Sequence, residues 1–187
     1  MAEQPRPLRA DAQRNHDLIV AAASAEFARV GSEASLEEIA RRAGVGSATL
    51  HRRFPTRRDL VQTVFAEQIR QLCDRAVPLS EEHTPMASLR AWLVEVAVYS
   101  AQARGLADTI RFDDAEPPDG SCEAGLAVTA AVLVRRAQDA GSMRAAVSAL
   151  QLLTLVNGIS IAAKDHSDPA ASASSLTLLA LDGIATR

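Results

Sequence analysis

The stretch Ala43–Phe54, AGVGSATLHRRF, decides the fold of this chain. Its two glycines either cradle a nucleotide phosphate or turn the chain between two short helices. A dinucleotide-binding loop needs a preceding strand and the pattern G-x-G-x-x-G at the start of a long helix. Here a helical segment precedes Gly44, no third glycine follows, and the next helix is only about two turns long. The stretch therefore favours a helix-turn-helix.

The residues around this turn predict the ends of both helices. Ser35 and Glu38 have the spacing of a capping box, in which the serine accepts from the N3 amide and the glutamate reaches back to the serine amide. Gly44 is expected to end the first helix, and the second is expected to cover roughly residues 47–54. The side chains expected to pack between the two helices are Ile39, Ala40, Val45 and Leu50.

The charge distribution points to an anionic partner. Positions 41 to 58 hold six arginines and no acidic residue, although the 187-residue chain has a net charge of −3. A local basic cluster on an acidic protein is typical of nucleic-acid binding. The second helix of such a pair enters the DNA major groove and reads base edges while its flanks bind phosphates. The candidate DNA-binding residues on this helix are Ser47, Thr49, His51, Arg52 and Arg53.

The rest of the chain also reads as helical. Alanine and leucine are abundant, aromatic residues make up only 3%, and no alternating strand pattern occurs. These features predict an all-α protein. The expected helices cover about residues 11–30, 57–77, 86–103, 105–111, 122–140, 148–164 and 169–182, besides the two short ones, with polar breaks at 78–85 and 113–121. Thr56, Ser148 and Asp168 are the expected N-caps of the helices that begin at these positions.

Three regions follow from this pattern. Residues 1–10 are expected to be a loose tail, residues 11–56 a helix-turn-helix domain, and residues 57–187 a helical domain that begins with a connecting helix over 57–77. Both last helices are almost free of charge. A helix that is apolar on every side must be covered on every side, so we expect a two-fold homodimer through the last two helices.

Residues 14–65 resemble the DNA-binding domain of the TetR family of transcriptional repressors. The resemblance lies in LIVAAASAEFARVG, SLEEIARRAGV and ATLHRRFPTRRDLVQTVF, in this order and spacing. Beyond about residue 80 the chain is similar to the family in helix number and order, with some likeness to its SbtR-like branch. The resemblance implies a dimeric regulator that binds a palindromic double-stranded DNA operator and is released by a small-molecule effector.

The resemblance also implies roles for single residues. His51 stands where the family usually has a phosphate-binding tyrosine, and Arg57 stands where a lysine binds a phosphate. Ser47, Thr49 and Arg52 match positions that face the groove. An imidazole titrates near neutrality, so His51 would make its phosphate contact pH-dependent. Two further departures are Gly46, where a capping serine is common, and Ala48, where a glycine is frequent.

An effector pocket is expected in the C-terminal half, because apolar helical cavities with a few polar groups are typical ligand sites. The candidate ligand-binding residues are Trp92, Tyr99, Arg111 and Asn157. Ordinary core packing is the alternative for Trp92 and Tyr99. Arg111 is alternatively a solvated side chain, and Asn157 an interface hydrogen-bonding group.

Other classes of site lack their patterns. The chain has no nucleophile elbow, no metalloprotease motif, no complete phosphate loop and no zinc spacing among its four histidines, so we expect no catalytic residue, metal or cofactor. Cys73 and Cys122 are expected in the core of a cytoplasmic protein. Residues 145–163 are uncharged, but polar residues interrupt them, which favours a buried helix over a membrane span.

Two other functions remain as alternatives to a DNA-binding regulator. A helical protein with an apolar cavity can be an enzyme or small-molecule-binding protein, and turnover without sequence-preferring DNA binding would indicate this class. A dimeric adaptor without DNA binding is the second alternative. A partner whose binding is insensitive to salt, together with no DNA affinity, would indicate the adaptor.

Overall fold

The computed structural model describes residues 6–31, 33–103 and 121–185 of the chain. Over these residues it forms eight α-helices and no strand, with one isolated bridge between Met143 and Ala185. The helices are α1 (Arg6–Val30), α2 (Leu36–Arg42), α3 (Ser47–Arg53), α4 (Arg57–Glu82), α5 (Pro85–Gln102), α6 (Cys122–Asp139), α7 (Ala149–Ala163) and α8 (Pro169–Asp182). The all-α fold class expected from the sequence is confirmed.

The chain divides into two compact units, residues 1–67 and 68–187. The division falls inside α4, so the first turns of this helix belong to the helix-turn-helix unit. The sequence pattern placed the boundary at the start of the same helix, between residues 56 and 57. A continuous helix thus links the two units, and its apolar residues Leu60 and Val64 complete the core of the first.

The core of the N-terminal unit is small and draws on four helices. Ile19 of α1, Ile39 of α2, Leu50 of α3 and Leu60 of α4 are all fully buried. Of the four side chains expected between the short helices, Ile39, Ala40 and Leu50 are buried, whereas Val45 packs against the cluster but stays partly exposed. Burial of this apolar set fixes the crossing of α2 and α3.

The C-terminal unit is built around α5, which packs against α6, α7 and α8. The buried face of α5 includes Trp92, Leu93 and Val96. A polar contact also joins α7 to α5, because the buried Ser160 hydroxyl donates to the carbonyl oxygen of Ala97 at 3.1 Å.

The last two helices begin as the sequence predicted. Ser148 Oγ accepts from the Gln151 amide at 3.2 Å, and Gln151 Oε1 accepts from the Ser148 amide at 2.9 Å, which completes a capping box. Asp168 Oδ1 accepts from the Ala171 amide at 3.0 Å, and Pro169 occupies the first turn. Both starts depend only on residues close in sequence, so local patterns were sufficient to find them.

Two expected helix ends were wrong. Helix α1 begins at Arg6, so residues 6–10 are helical and only residues 1–5 of the expected loose tail lie outside the described part. Helix α4 continues through Pro78 to Glu82. A proline removes one amide donor but does not by itself end this helix. At the C-terminal end of α4, side chains from other helices bind carbonyl oxygens: Ser88 Oγ donates to that of Leu79 at 2.8 Å, and Arg136 Nη2 donates to that of Ser80 at 3.1 Å.

Two predictions fall outside the described residues, namely the short helix over 105–111 and most of the polar loop over 113–121. Ser121, at the end of that loop, caps α6 by accepting from the Ala124 amide at 3.0 Å. A search of the helices in the described part finds none whose length and hydropathy would let it span a bilayer.

Candidate nucleic-acid interface

The turn between α2 and α3 depends on Gly44. This residue has a φ of 68°, a left-handed conformation that glycine adopts without the steric cost of a Cβ atom. The following amide of Val45 then donates back to the carbonyl oxygen of Ala40 at 3.0 Å, which closes the end of α2. Gly44 therefore turns the chain so that α3 starts three residues later, as the helix-turn-helix reading required.

The start of α3 has no side-chain cap. Gly46 is the N-cap residue and has an extended backbone; its carbonyl oxygen accepts from the Thr49 amide at 2.9 Å, but it has no side chain that could accept from an amide of the first turn. Ser47 and Ala48 at this end are exposed. The amide donors at the N-terminal end of α3 are therefore available to solvent or to another acceptor, such as a DNA phosphate oxygen.

Helix α3 has one buried face and one exposed face. Leu50 is fully buried, and Phe54 directly after the helix is also buried. The sequence-predicted DNA-binding residues of α3 lie away from this core: Ser47, His51, Arg52 and Arg53 are exposed, and Thr49 is half-buried. The structure therefore brings together on a single short helix the polar and cationic residues that the sequence indicated.

The arginines of α2 differ from those of α3 because they have carboxylate partners. Arg41 Nη2 binds Glu38 Oε1 at 2.6 Å, and Arg42 Nε lies 2.8 Å from the same oxygen. Arg42 Nε also lies 2.9 Å from Glu26 Oε1 of α1. Two of the six arginines at positions 41–58 are therefore neutralised inside the unit, so the uncompensated positive charge is smaller than the sequence count suggests.

The expected capping box at the start of α2 is only half formed. Ser35 Oγ accepts from the Glu38 amide at 3.4 Å, as expected. The Glu38 carboxylate does not return to the Ser35 amide, because it binds Arg41 and Arg42 instead. In these hydrogen bonds both the donor and the acceptor are charged, whereas the Ser35 amide is a neutral donor. The guanidinium groups of Arg41 and Arg42 lower the pKa of Glu38 to about 2, and the hydrogen bond from Arg41 has the largest effect.

A buried carboxylate that the sequence analysis missed lies behind this network. Glu26 of α1 is only 1% exposed and contacts Arg29 of the same helix at 2.8 Å as well as Arg42. The hydrogen bond from Arg29 lowers the pKa of Glu26, with a further contribution from the charge of Arg42. Glu26 thus joins α2 to α1. The apolar residues beside it in the sequence gave no sign of this long-range ion pair.

Arg57 and its neighbours order the start of α4. Thr56 Oγ1 accepts from the Asp59 amide at 3.1 Å and Asp59 Oδ2 accepts from the Thr56 amide at 3.0 Å, so the expected N-cap at Thr56 is confirmed. Arg57 is half-buried, and its Nη1 donates to the carbonyl oxygen of Ala34 at 2.6 Å. Arg57 therefore binds the loop before α2.

The candidate ligand residues of the C-terminal half have different surroundings. Trp92 is completely buried and its Nε1 donates to the carbonyl oxygen of Leu72 at 2.8 Å, so its polar atom is used within the core. Tyr99 is half-buried on the wall of an open groove between α4 and α5, and burial raises the pKa of its hydroxyl. Asn157 is half-buried on α7, whereas Arg111 lies outside the described residues.

That groove has a volume of about 570 Å³ and a mixed lining. Arg75 Nη2 of α4 binds Glu95 Oε1 of α5 at 3.1 Å at its edge, and Leu72 and Val98 add apolar surface. The described part of the chain contains no group of three histidine, cysteine, aspartate or glutamate side chains that is arranged to hold a metal ion.

Comparison with protein families and solved structures accounts for nearly the whole chain. A model of bacterial regulatory proteins of the tetR family matches residues 19–64. A model of the C-terminal domain of SbtR-like transcriptional regulators matches residues 84–186. Among proteins with curated functions, none matches the chain.

Two solved structures are similar in sequence as well as in fold. The TetR transcriptional regulator SCO0520 from Streptomyces coelicolor is 34% identical over 90% of this chain and 97% of its own, with a TM-score of 0.72. A TetR transcription regulatory protein from Mycobacterium vanbaalenii is 31% identical over 96% of this chain and 100% of its own, with a TM-score of 0.68.

A more distant structure shares only the fold. It is the regulator FadR from Bacillus subtilis in complex with stearoyl-CoA, at 18% identity and a TM-score of 0.60, covering 90% of this chain and 99% of its own. The helix-turn-helix geometry, the two family matches and the similar structures agree. This chain belongs to the TetR family of DNA-binding transcriptional regulators, with a C-terminal domain of the SbtR-like type.

Proposed function

We propose that this protein is a repressor whose α3 reads a palindromic operator from the major groove, and that a small molecule releases it. The observation that carries the proposal is the contrast in charge between neighbouring helices. Arg52, Arg53 and Arg58 are exposed and have no carboxylate partner within the described part of the chain. An anionic surface is the natural partner of cations that the protein itself leaves uncompensated.

The positions of these residues suggest a division of roles. Arg52 lies in the last turn of α3, and its guanidinium can donate two hydrogen bonds together, one to guanine O6 and one to N7. Ser47 and Thr49 are short side chains that suit contacts to base edges or to the backbone. His51, Arg53 and Arg57 are proposed to bind phosphates, which set the register of the helix without reading sequence.

We propose that two copies pair through α7 and α8. Leu155 and Ile161 of α7 and Leu176 and Leu179 of α8 are exposed in the single chain, and Leu179 is 70% exposed. Helix α7 has no charged residue, and α8 has none before its last residue, Asp182. A four-helix bundle of both copies would remove this apolar surface from water, and its two-fold axis would match a palindromic site.

The α4–α5 groove is the proposed effector site. Its wall combines the hydroxyl of Tyr99 with the ion pair of Arg75 and Glu95. This lining suits an amphipathic ligand with a polar end. Since α4 is continuous from Arg57 to Glu82, a ligand at its second half acts on the helix that begins beside the operator.

Selection of bound duplexes from random DNA tests the DNA-reading proposal. The expected product is a palindrome with half-sites about one helical turn apart. Its affinity should fall linearly with the logarithm of salt concentration. Selection without any sequence preference, together with turnover of a small molecule or salt-insensitive binding of another protein, would contradict the proposal in favour of an enzyme or an adaptor.

Ligand binding with and without operator tests the release mechanism. Thermal-shift screening of amphipathic compounds supplies the ligand, and Tyr99→Phe tests whether the hydroxyl contributes to its binding. By linkage, a ligand that weakens operator binding must itself bind less tightly to the protein–operator complex, by the same factor. An effector whose affinity does not change at saturating operator would contradict release through α4.

A further inference from the structure

His16 of α1 contacts the end of the recognition helix α3. Its ring stacks on Phe54, with ring centroids 5.3 Å apart and an angle of 28° between the planes. Its Nδ1 accepts a hydrogen bond from Arg53 Nε at 3.2 Å. Phe54 is buried in the core of the unit, so the imidazole is held against a fixed partner while its edge is directed to Arg53.

This contact restricts the guanidinium of Arg53. Arginine has many rotamers at an exposed helix end, and Arg53 is the last residue of α3. The hydrogen bond from Nε to His16 restricts the guanidinium, whereas the terminal nitrogens have no hydrogen-bond partner within the described part of the chain. Those nitrogens present donors for an acceptor outside the protein.

A small groove beside this contact is lined by polar groups from two helices. It has a volume of about 140 Å³ and lies between α1 and α3, where Asn15, Thr49, Arg52 and Arg53 contribute to its wall. An anionic oxygen at this place would meet an amide, a hydroxyl and two guanidinium groups. The groove therefore has the donor set and the positive charge that suit a DNA phosphate.

We propose that His16 is a positioning residue for DNA binding, because it holds the Arg53 guanidinium ready for a phosphate at the end of the recognition helix. The inference rests on the proposed function of α3. A side chain that is already ordered loses less conformational entropy on binding, so the expected gain is in operator affinity. His16 itself is not expected to read a base or to bind the phosphate.

Two substitutions separate positioning from packing. His16→Asn keeps an acceptor at the position of Nδ1 but removes the ring, whereas His16→Phe keeps a ring that can stack on Phe54 but removes the acceptor. Positioning predicts that His16→Phe weakens operator binding by roughly 3- to 10-fold per half-site and that His16→Asn retains more of the affinity. A purely structural role predicts the opposite order, since loss of the ring would then matter more.

A double-mutant cycle with Arg53→Ala completes the test. If His16 acts through Arg53, then His16→Phe has no further effect on affinity in the Arg53→Ala background. Circular dichroism and thermal melting of every variant establish that it is folded, and the cycle remains informative even if His16→Asn is unstable.

The inference is overturned if His16→Phe binds the selected operator as tightly as the wild type, or if its loss of affinity persists without Arg53. These results differ from failure of the proposed function, in which the wild-type protein itself selects no operator. An ordered loss, with His16→Phe weaker than His16→Asn and no additional loss in the double variant, supports the positioning role.

Discussion

Helices α2 and α3 are similar in length and in their C-terminal arginines, but they differ in whether those arginines have carboxylate partners. Each has seven residues and ends in two adjacent arginines. Helix α2 has Glu37 and Glu38 in its first turn, and α3 has no acidic residue. The arginines of α2 bind Glu38 and Glu26, whereas those of α3 are exposed without a carboxylate partner in the described part of the chain. We propose that pairing, and not the number of arginines, separates a helix that stabilises the unit from a helix that contacts DNA.

The same distinction recurs in the C-terminal unit. Trp92 is a large side chain whose apolar surface is buried and whose Nε1 is bonded to Leu72, so it stabilises the unit. Leu179 is an apolar side chain of α8 that the single chain leaves 70% exposed. A side chain that is buried and hydrogen-bonded within its own unit contributes to the fold, whereas a large apolar side chain left exposed indicates a partner.

The largest effect is expected from the apolar partner surface. Leu179→Glu should separate the dimer, because a carboxylate cannot be buried in an apolar bundle without a large desolvation cost. A monomer binds one half-site, so affinity for the palindrome should fall roughly 10²- to 10⁴-fold. Light scattering at micromolar concentration and operator titration measure the two effects.

Val128→Glu is the matched control for this variant. Val128 of α6 is 66% exposed in the same unit but does not belong to the last two helices. The control should remain dimeric and bind the operator as the wild type does. A dimeric Leu179→Glu protein, or a monomeric Val128→Glu protein, would contradict an interface made by α7 and α8.

A smaller and uniform effect is expected at Arg57. Its guanidinium binds the Ala34 carbonyl oxygen and is proposed to neutralise one phosphate. Arg57→Ala should lower the slope of log affinity against log salt by about 0.9 per half-site. The loss should be the same on the operator and on single-base variants. A loss that depends on the base sequence would show that Arg57 reads bases.

The smallest effect is expected from the paired glutamate of α2, and it concerns stability. Arg41 and Arg42 lower the pKa of Glu38 to about 2 from its usual value of 4.5, so the folded state binds its proton less readily than the unfolded state. Stability from this group is present above about pH 4.5 and is lost as the pH falls towards about 2. Glu38→Gln should lower Tm by about 2–4 °C at pH 7.

The sign of that effect gives its test. The difference in stability between wild type and Glu38→Gln should narrow as urea unfolding is repeated from pH 7 downwards through this window. Glu37→Gln is the control, because Glu37 lies next to Glu38 on α2 and is exposed. A difference that stays constant with pH would show that Glu38 acts through something other than its charge.

The sequence predicted the features that depend on neighbouring residues. Gly44 indicated the turn, Thr56 indicated the start of α4, and Ser148 and Asp168 indicated the last two helices, because caps and turns are set within about four residues. The position of Arg52 on the exposed face of α3 followed for the same reason, since helical periodicity places it opposite the buried Leu50.

Features that depend on distant residues were missed. Glu26 meets Arg42 across sixteen positions, and His16 meets Arg53 across thirty-seven. Neither pair has a local sequence pattern. Arg42 was therefore included in the basic cluster at positions 41–58, and no role was predicted for His16. The passage of α4 through Pro78 was missed for a related reason, because Ser88 and Arg136 supply its terminal donors from other helices.

Affinity of Arg52→Ala and Arg41→Ala for the selected operator tests the central claim most directly, because these arginines occupy equivalent places on α3 and α2. Measured on matched and single-base-changed duplexes across a salt series, Arg52→Ala should lose on the order of 1–3 kcal/mol per half-site and relax one base position. Arg41→Ala should bind every duplex nearly as the wild type does, since Glu38 already neutralises Arg41. Equal losses for the two variants on all duplexes would contradict the claim that pairing distinguishes the two helices.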